Sequence, residues 1–154
     1  MEKIGIAGCS IGAQISLQSA VRYPELGAVW ADGPSTVRAA DMPSPQNPLV
    51  GLFKFGAYIA DWTYEVNLDL KAPPPMITTI GQIAPRPIML VGGGKPLGFV
   101  GNEERNVRNY VEYAGKNAQV WIIPEAVHCD GPDVQPELYA QKMIAFFNSV
   151  FGLK

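Results

Sequence analysis

Four short apolar runs, alternating with segments of helical periodicity, limit the fold of this chain more than any other feature. The runs occupy residues 3–7, 26–31, 88–91 and 118–123. Short continuous runs bounded by turn residues are typical of strands buried on both faces of a sheet. Strands that alternate with helices form a parallel sheet covered on both sides. The sequence therefore predicts an α/β fold, a three-layer sandwich with a parallel sheet of about four strands.

Three helices are predicted between and after these runs. The first covers residues 11–23, with Ile11, Ile15 and Leu17 expected to face inward and Pro24 just beyond its end. The two later helices each have one apolar face. These faces consist of Val107, Tyr110, Val111 and Ala114 before Gly115, and of Met143, Phe146, Phe147 and Val150 before Gly152.

Residues 36–84 interrupt this alternation. They contain many prolines, including those at 73–75, and an apolar, aromatic stretch at 49–62. A solvated linker would not hold so many aromatic residues so close together. The 154 residues suit one domain. We therefore predict a single domain over residues 1–154, with a partly helical, cap-like insertion at about 36–84.

Charge and the chain's apolar content exclude several function classes. The net charge of −2 gives no electrostatic reason to expect nucleic acid or an anionic membrane as partner. No apolar run reaches the ~18 residues of a membrane span, and the first residues lack signal-peptide features. A cytoplasmic location is predicted. Cys9 and Cys129 are too few for a disulfide framework or a four-cysteine zinc site, and are expected to be reduced and near the same site. No metal or organic cofactor is expected.

The segment Gly8-Cys9-Ser10-Ile11-Gly12 fits the G-x-S-x-G pattern and lies between the first strand and the first helix. At such a turn the serine has a strained backbone, and its hydroxyl projects above the sheet. Glycines flank it because side chains there would collide with the strand and the helix. The pattern predicts Ser10 as a nucleophile and the Ile11 backbone N–H as an oxyanion donor.

Two other interpretations of this turn remain open. It could be a glycine-rich connection without chemistry. It could also bind a nucleotide, since Asp32 lies about where a ribose-binding acid would. The glycines at 5, 8 and 12 do not fit the dinucleotide-binding pattern, however, because the third is misplaced.

His128, the only histidine, follows the fourth strand by a short loop. Parallel sheets place their chemistry in such loops, at the carboxyl ends of strands. A near-neutral pKa would let this imidazole accept the serine proton and return it, so His128 is the predicted base. The acid that orients it should follow the third strand, where Glu103 is preferred and Glu104 is the alternate. Both could instead be ordinary first-turn acids of a helix.

These segments resemble the C-terminal half of the α/β-hydrolase superfamily, in particular serine esterases and dienelactone-hydrolase-like proteins. The resemblance rests on residues 3–12, 83–91 and 120–128 and covers nearly the whole chain. It implies a carboxylic-ester hydrolase acting through an acyl-enzyme. The aromatic and apolar stretch 49–62 would line the acyl pocket, which suggests small to medium acyl chains, or else serve as core or oligomer contact. The loop at 95–102 departs from the pattern because it lacks the aspartate that many members carry.

In the superfamily, four further strands precede the strand that leads to the nucleophile. One of their loops supplies the second oxyanion N–H. Residues 3–7 would here form a bare apolar edge, which is prone to pair with another chain. We therefore expect a homo-oligomer, in its simplest form a two-fold dimer with these strands edge to edge. The alternative function is a non-catalytic remnant of the fold that acts as an oligomerising or partner-binding module.

Overall fold

The computed structural model describes residues 4–68, 71–96 and 103–153. Within these residues, four strands form one sheet in the order β1-β2-β3-β4, and every neighbouring pair is parallel. The strands are β1 (Ile4–Cys9), β2 (Leu26–Asp32), β3 (Ile88–Gly93) and β4 (Ala118–Ile123). The prediction of an α/β fold with a parallel sheet of about four strands is confirmed. Most of the loop at 95–102, namely residues 97–102, lies outside the described residues.

Helices cover both faces of the sheet, as predicted. They are α1 (Ile11–Arg22), α2 (Pro48–Leu68), α3 (Met76–Thr79), α4 (Glu103–Ala114), α5 (Gly131–Val134) and α6 (Pro136–Phe151), with 3-10 turns at Ala39–Asp41 and Ile80–Ile83. Helices α1, α3 and α4 pack on one face, where Val29 and Leu90 are buried. Helix α6 packs on the other face, against Ala28 and Trp30. Neighbouring residues of β2 serve opposite faces because side chains alternate along a strand.

Helix α1 lies on the sheet with a different face from the one expected. Leu17 is fully buried, together with Ala13 and Ala20, whose small side chains let the helix approach β1 and β2. Ile11 is 68% exposed and Ile15 is 54% exposed. The prediction that Ile11 and Ile15 face inward is therefore wrong. Residues four apart share one side of a helix, and this side points away from the sheet.

Helix α2 turns its polar side toward the rest of the chain. The Arg38 guanidinium donates a hydrogen bond of 2.6 Å to Glu65 and pairs with Asp61. No residue of α2 is buried. Its large apolar side chains include Leu49, Leu52, Phe53, Phe55, Tyr58, Ile59 and Trp62, all at least 48% exposed. The segment is partly helical, as expected, and its standing as a cap-like insertion stays a prediction.

A buried hydrogen-bonded chain lies between the sheet and α6. The Trp30 indole N–H donates to the Tyr139 hydroxyl at 2.9 Å, and this hydroxyl donates to the Asp32 carboxylate at 2.7 Å. Trp121 and Phe146 pack edge-on against Trp30. Burial raises the pKa of Asp32 and that of Tyr139 above their usual values. These hydrogen bonds fix the end of β2, from which the next loop leads to the site.

In the part of the chain that the structure describes, no helix combines the length and apolar character that crossing a membrane requires.

Replacing Tyr139 with Phe should lower the free energy of unfolding by about 1–3 kcal/mol, because the buried Trp30 N–H loses its acceptor and Asp32 loses a donor. Urea denaturation followed by tryptophan fluorescence measures the change. Tyr113→Phe is the matched control, since Tyr113 on α4 is half exposed, and it should change the free energy by less than about 0.5 kcal/mol. Equal losses in both variants would contradict this account.

Candidate active site

Ser10 forms the turn between β1 and α1, and its backbone is strained. Its φ of 56° and ψ of −120° lie in a region that residues with a side chain seldom occupy. The Ser10 N–H donates to the Asp32 carbonyl at 2.9 Å, which ties the turn to the neighbouring strand. Ile11 is the first residue of α1, where a backbone N–H has no acceptor within its own helix. The strained serine expected from the sequence is thus present.

The two glycines that flank this turn differ in what surrounds them. A Cβ added to Gly8 would lie 2.3 Å from the Gly12 carbonyl oxygen, so close packing of strand and helix requires Gly8. A Cβ added to Gly12 would meet nothing within 4 Å. The expectation that a side chain at Gly12 would collide with its surroundings is wrong, because this position of α1 faces open space.

His128 reaches Ser10 from the loop after β4. The distance from His128 Nε2 to Ser10 Oγ is 2.8 Å. The loop passes close over the end of β3, and a Cβ on Gly93 would lie 2.3 Å from the Val127 carbonyl oxygen. This glycine lets the loop come near enough for the imidazole to meet the serine. The His128 side chain is 37% exposed, so the site opens to solvent.

Of the two candidate acids, Glu103 is the one that contacts the histidine. Its Oε1 lies against His128 Nδ1, and its Oε2 accepts the Gly93 N–H at 2.7 Å. The Glu103 side chain is 5% exposed. Glu104 instead pairs with Arg108 one turn further along α4. The preference for Glu103 over Glu104 agrees with this geometry.

The hydrogen bonds of the imidazole define a direction for proton movement. A neutral His128 that donates Nδ1–H to Glu103 keeps Nε2 free to accept the Ser10 hydroxyl proton. A second carboxyl, Asp32, lies nearby. Burial raises the pKa of Asp32, and the Glu103 charge raises it further, while the Tyr139 hydrogen bond lowers it. The net effect of these causes is a raised pKa for Asp32.

The loop after β2 also reaches the site, and sequence reasoning missed it. Ser35 Oγ lies 3.4 Å from Ser10 Oγ. Gly33, with a φ of 53°, lets the loop pass closely, because a Cβ there would lie 2.7 Å from Glu103 Oε1. The available signal was position, since this turn follows the strand beside the one that leads to Ser10.

Cys9 and Cys129 form a disulfide, with their Cα atoms 6.1 Å apart. The prediction that both are reduced is wrong, while the expectation that both lie near one site is confirmed. A separation of 120 residues gives no local sign of pairing. The signal was that one cysteine precedes Ser10 and the other follows His128.

Among residues 4–68, 71–96 and 103–153, no group of three or more acidic, histidine or cysteine side chains could hold a metal ion. The absence of a cofactor stays a prediction.

No protein-family model and no curated protein matches the chain. Solved structures do match it. The esterase Pf2001 of Pyrococcus furiosus is 20% identical with a TM-score of 0.63, over 96% of this chain and 53% of that one. The 2,6-dihydroxy-pseudo-oxynicotine hydrolase is 22% identical with a TM-score of 0.60, over 96% and 40%. The α/β hydrolase GrgF of a Penicillium species is 13% identical with a TM-score of 0.64, over 95% and 63%.

The chain therefore has part of an α/β-hydrolase fold, as the resemblance in its sequence implied. It spans about half the length of the solved structures it matches. At such identities the likeness shows the fold, and the roles of Ser10, His128, Glu103 and the Ile11 N–H stay predictions.

The contrast between the two turn glycines gives a matched pair of variants. Gly8→Ala should lower the free energy of unfolding by about 1–3 kcal/mol, because its methyl group overlaps the backbone of α1. Gly12→Ala should leave stability unchanged or raise it by up to about 1 kcal/mol, since alanine favours a helix. Thermal unfolding followed by circular dichroism separates the two cases. A loss at Gly12 as large as that at Gly8 would sink this explanation.

Proposed function

We propose that this chain is a serine hydrolase that cleaves carboxylic esters of small to medium acyl chains. The observation that carries the proposal is the series of contacts from Ser10 Oγ through His128 to Glu103, with Ser10 at a strained strand–helix turn. Structures that share the fold include an esterase and other hydrolases. The order serine, histidine, acid in space and the chain order Ser10, Glu103, His128 both suit this chemistry.

Ser10 Oγ attacks the ester carbonyl while His128 Nε2 takes its proton. The Ile11 N–H donates to the oxygen that becomes negative in the tetrahedral intermediate. The intermediate collapses, the alcohol leaves with the proton from His128, and an acyl-enzyme remains. Water, deprotonated by His128, then releases the acid and restores Ser10. Glu103 holds the imidazole in the tautomer that can accept the serine proton and stabilises its charged form.

One oxyanion donor is assigned within the chain, and a second would come from a partner chain or from residues 36–84, or be missing. Loss of one such donor typically costs ~100- to 1000-fold in kcat. We therefore expect weak activity from the isolated chain unless a partner supplies the donor.

A cleft of about 770 Å³ beside α2 supports the proposed acyl site. Its wall includes Thr36, which follows the Ser35 whose hydroxyl lies near Ser10. The lining is mainly apolar and consists of Met42, Pro43, Leu49, Val50, Leu52, Phe53 and Ala57, with Arg105 and Asn106 at the α4 side. Apolar walls with few polar groups suit an acyl chain.

A fluorophosphonate probe tests the proposed nucleophile directly. The wild-type chain should be labelled, and Ser10→Ala should abolish labelling because Ser10 is the proposed nucleophile and its Oγ contacts His128 Nε2. Glu103→Gln should slow labelling by about 100-fold or more, since the imidazole loses its charged partner. Glu104→Gln, the matched control, should label within twofold of wild type.

The substrate class is tested with short-chain p-nitrophenyl esters beside amides and lactones, each measured as kcat/KM. Esters should be preferred. If nothing labels the chain between pH 6 and 9 and no substrate is cleaved, the non-catalytic alternative replaces this proposal.

We also propose that the chain forms a homodimer, and the exposed edge of the sheet supports this. Among the described strands β1 pairs only with β2, and Ile4 on its free edge is 42% exposed. The apolar side of α2 is exposed as well. Edge-to-edge pairing of β1 across a two-fold axis would satisfy its free backbone groups. A partner-binding role without catalysis would use the same edge. A cytoplasmic location, without nucleic acid or membrane as partner, stays a prediction.

Sedimentation velocity at micromolar concentration should show a dimer. Ile4→Lys should shift the chain toward monomer, because a charge on an edge strand opposes pairing. Ile144→Lys, which changes an equally apolar residue that is 60% exposed on α6, should leave the dimer intact. A stable wild-type monomer would refute the dimer.

A further inference from the structure

The Cys9–Cys129 disulfide joins the two loops that carry Ser10 and His128. We propose that it is a thiol–disulfide exchange site through which a dithiol reductant lowers the activity of the hydrolase. The proposal rests on the proposed function, because it regulates that same site. Each cysteine is the direct neighbour of one of the two reacting residues. Opening the bond therefore affects the positions of Ser10 and His128, between which the proton moves.

A strained backbone conformation lies beside one cysteine of the bond and at the other. Ser10 has a φ of 56° and Cys129 a φ of 57°, and both have side chains. Residues keep such conformations only where the surroundings impose them. The disulfide is a covalent part of those surroundings on each side. When it opens, both turns lose one restraint toward their strained conformations.

Few other contacts hold the tip of the His128 loop. The base of the loop is fixed by hydrogen bonds from Ala126 N–H to Ile123 and from Lys95 N–H to Ala126. Beyond Ala126, the Val127 carbonyl lies close over Gly93, and among the described residues the bonds to the sheet side come from His128, to Ser10 and Glu103, and from Cys129. The disulfide is the covalent one among them. Reduction should therefore loosen residues 127–130 while the base of the loop stays in place.

A reductant can reach the bond. Cys9 is exposed and Cys129 is partly exposed. A thiolate of the dithiol attacks one sulfur and forms a mixed disulfide, and its second thiol then displaces the remaining cysteine. Two electrons and two protons pass to Cys9 and Cys129, and the dithiol becomes a disulfide.

The released thiol adds a chemical effect to the loss of restraint. Cys129 Sγ lies 3.9 Å from His128 Nε2, the nitrogen that receives the serine proton. In the reduced chain the Cys129 thiol can donate a hydrogen bond to this nitrogen. A nitrogen that accepts this bond is not free to accept the Ser10 proton.

Tag-free oxidised chain, treated with dithiothreitol, tests the proposal. The rate of fluorophosphonate labelling should fall by about 10- to 100-fold, since displacement by about 1 Å can cost ~100-fold in rate. Reoxidation with oxidised glutathione should restore it. Hydrogen exchange gives a readout independent of activity, with faster exchange at residues 127–130 and unchanged exchange in β3. The double variant Cys9→Ser, Cys129→Ser should label slowly and ignore dithiothreitol.

The outcomes separate the two proposals. If the oxidised chain labels and its rate stays within twofold after reduction, the exchange site is overturned and the hydrolase stands. If labelling speeds up on reduction, or exchange rises throughout β3 so that the whole fold has opened, the local site is likewise overturned. If the oxidised chain never labels, the hydrolase fails, and control of its activity fails with it.

Discussion

Parallel pairing of the four strands is the constraint on which the rest of this structure depends. It brings the carboxyl ends of all four strands to one edge, with Cys9 opposite Asp32, Asp32 opposite Val91, and Gly93 opposite Ile123. The loops that follow the four strands therefore all begin at this edge. A serine at one end of the chain and a histidine 118 residues later meet there as a result.

The close approach of these loops requires missing side chains. A Cβ on Gly33 would lie 2.7 Å from Glu103 Oε1, and a Cβ on Gly93 would lie 2.3 Å from the Val127 carbonyl oxygen. The glycines let four separate pieces of backbone share a small volume. Glu103 then stabilises two of them together, since its carboxylate holds the histidine with one oxygen and the end of β3 with the other. The contacts of Glu103 that position the histidine thus also place a carboxylate charge beside it.

Much of this arrangement could be predicted from local patterns. Apolar runs located the strands to within two residues at each end, because burial on both faces leaves a continuous apolar signature. From the position after the third strand, the acid could be predicted as Glu103 or Glu104. The inward face of α1 could not, since Ile11 and Ile15 are apolar yet exposed, and hydrophobicity alone does not say which side meets the sheet. Ser35 and the Cys9–Cys129 bond depend on contacts between distant segments, which no local pattern reports.

Burial of Asp32 beneath Tyr139 couples folding of this chain to proton uptake. Its pKa in the folded chain is raised above the ordinary 3.8, chiefly by burial. Between 3.8 and that raised value the native state holds a proton that the unfolded state has released. The contribution of Asp32 to the free energy of unfolding therefore falls as the pH rises across this interval. Above the interval, the cost of an ionised buried carboxyl stays constant. The group that ends β2 beside the site thus contributes stability that is complete below pH 3.8 and is lost as the pH rises through its raised pKa.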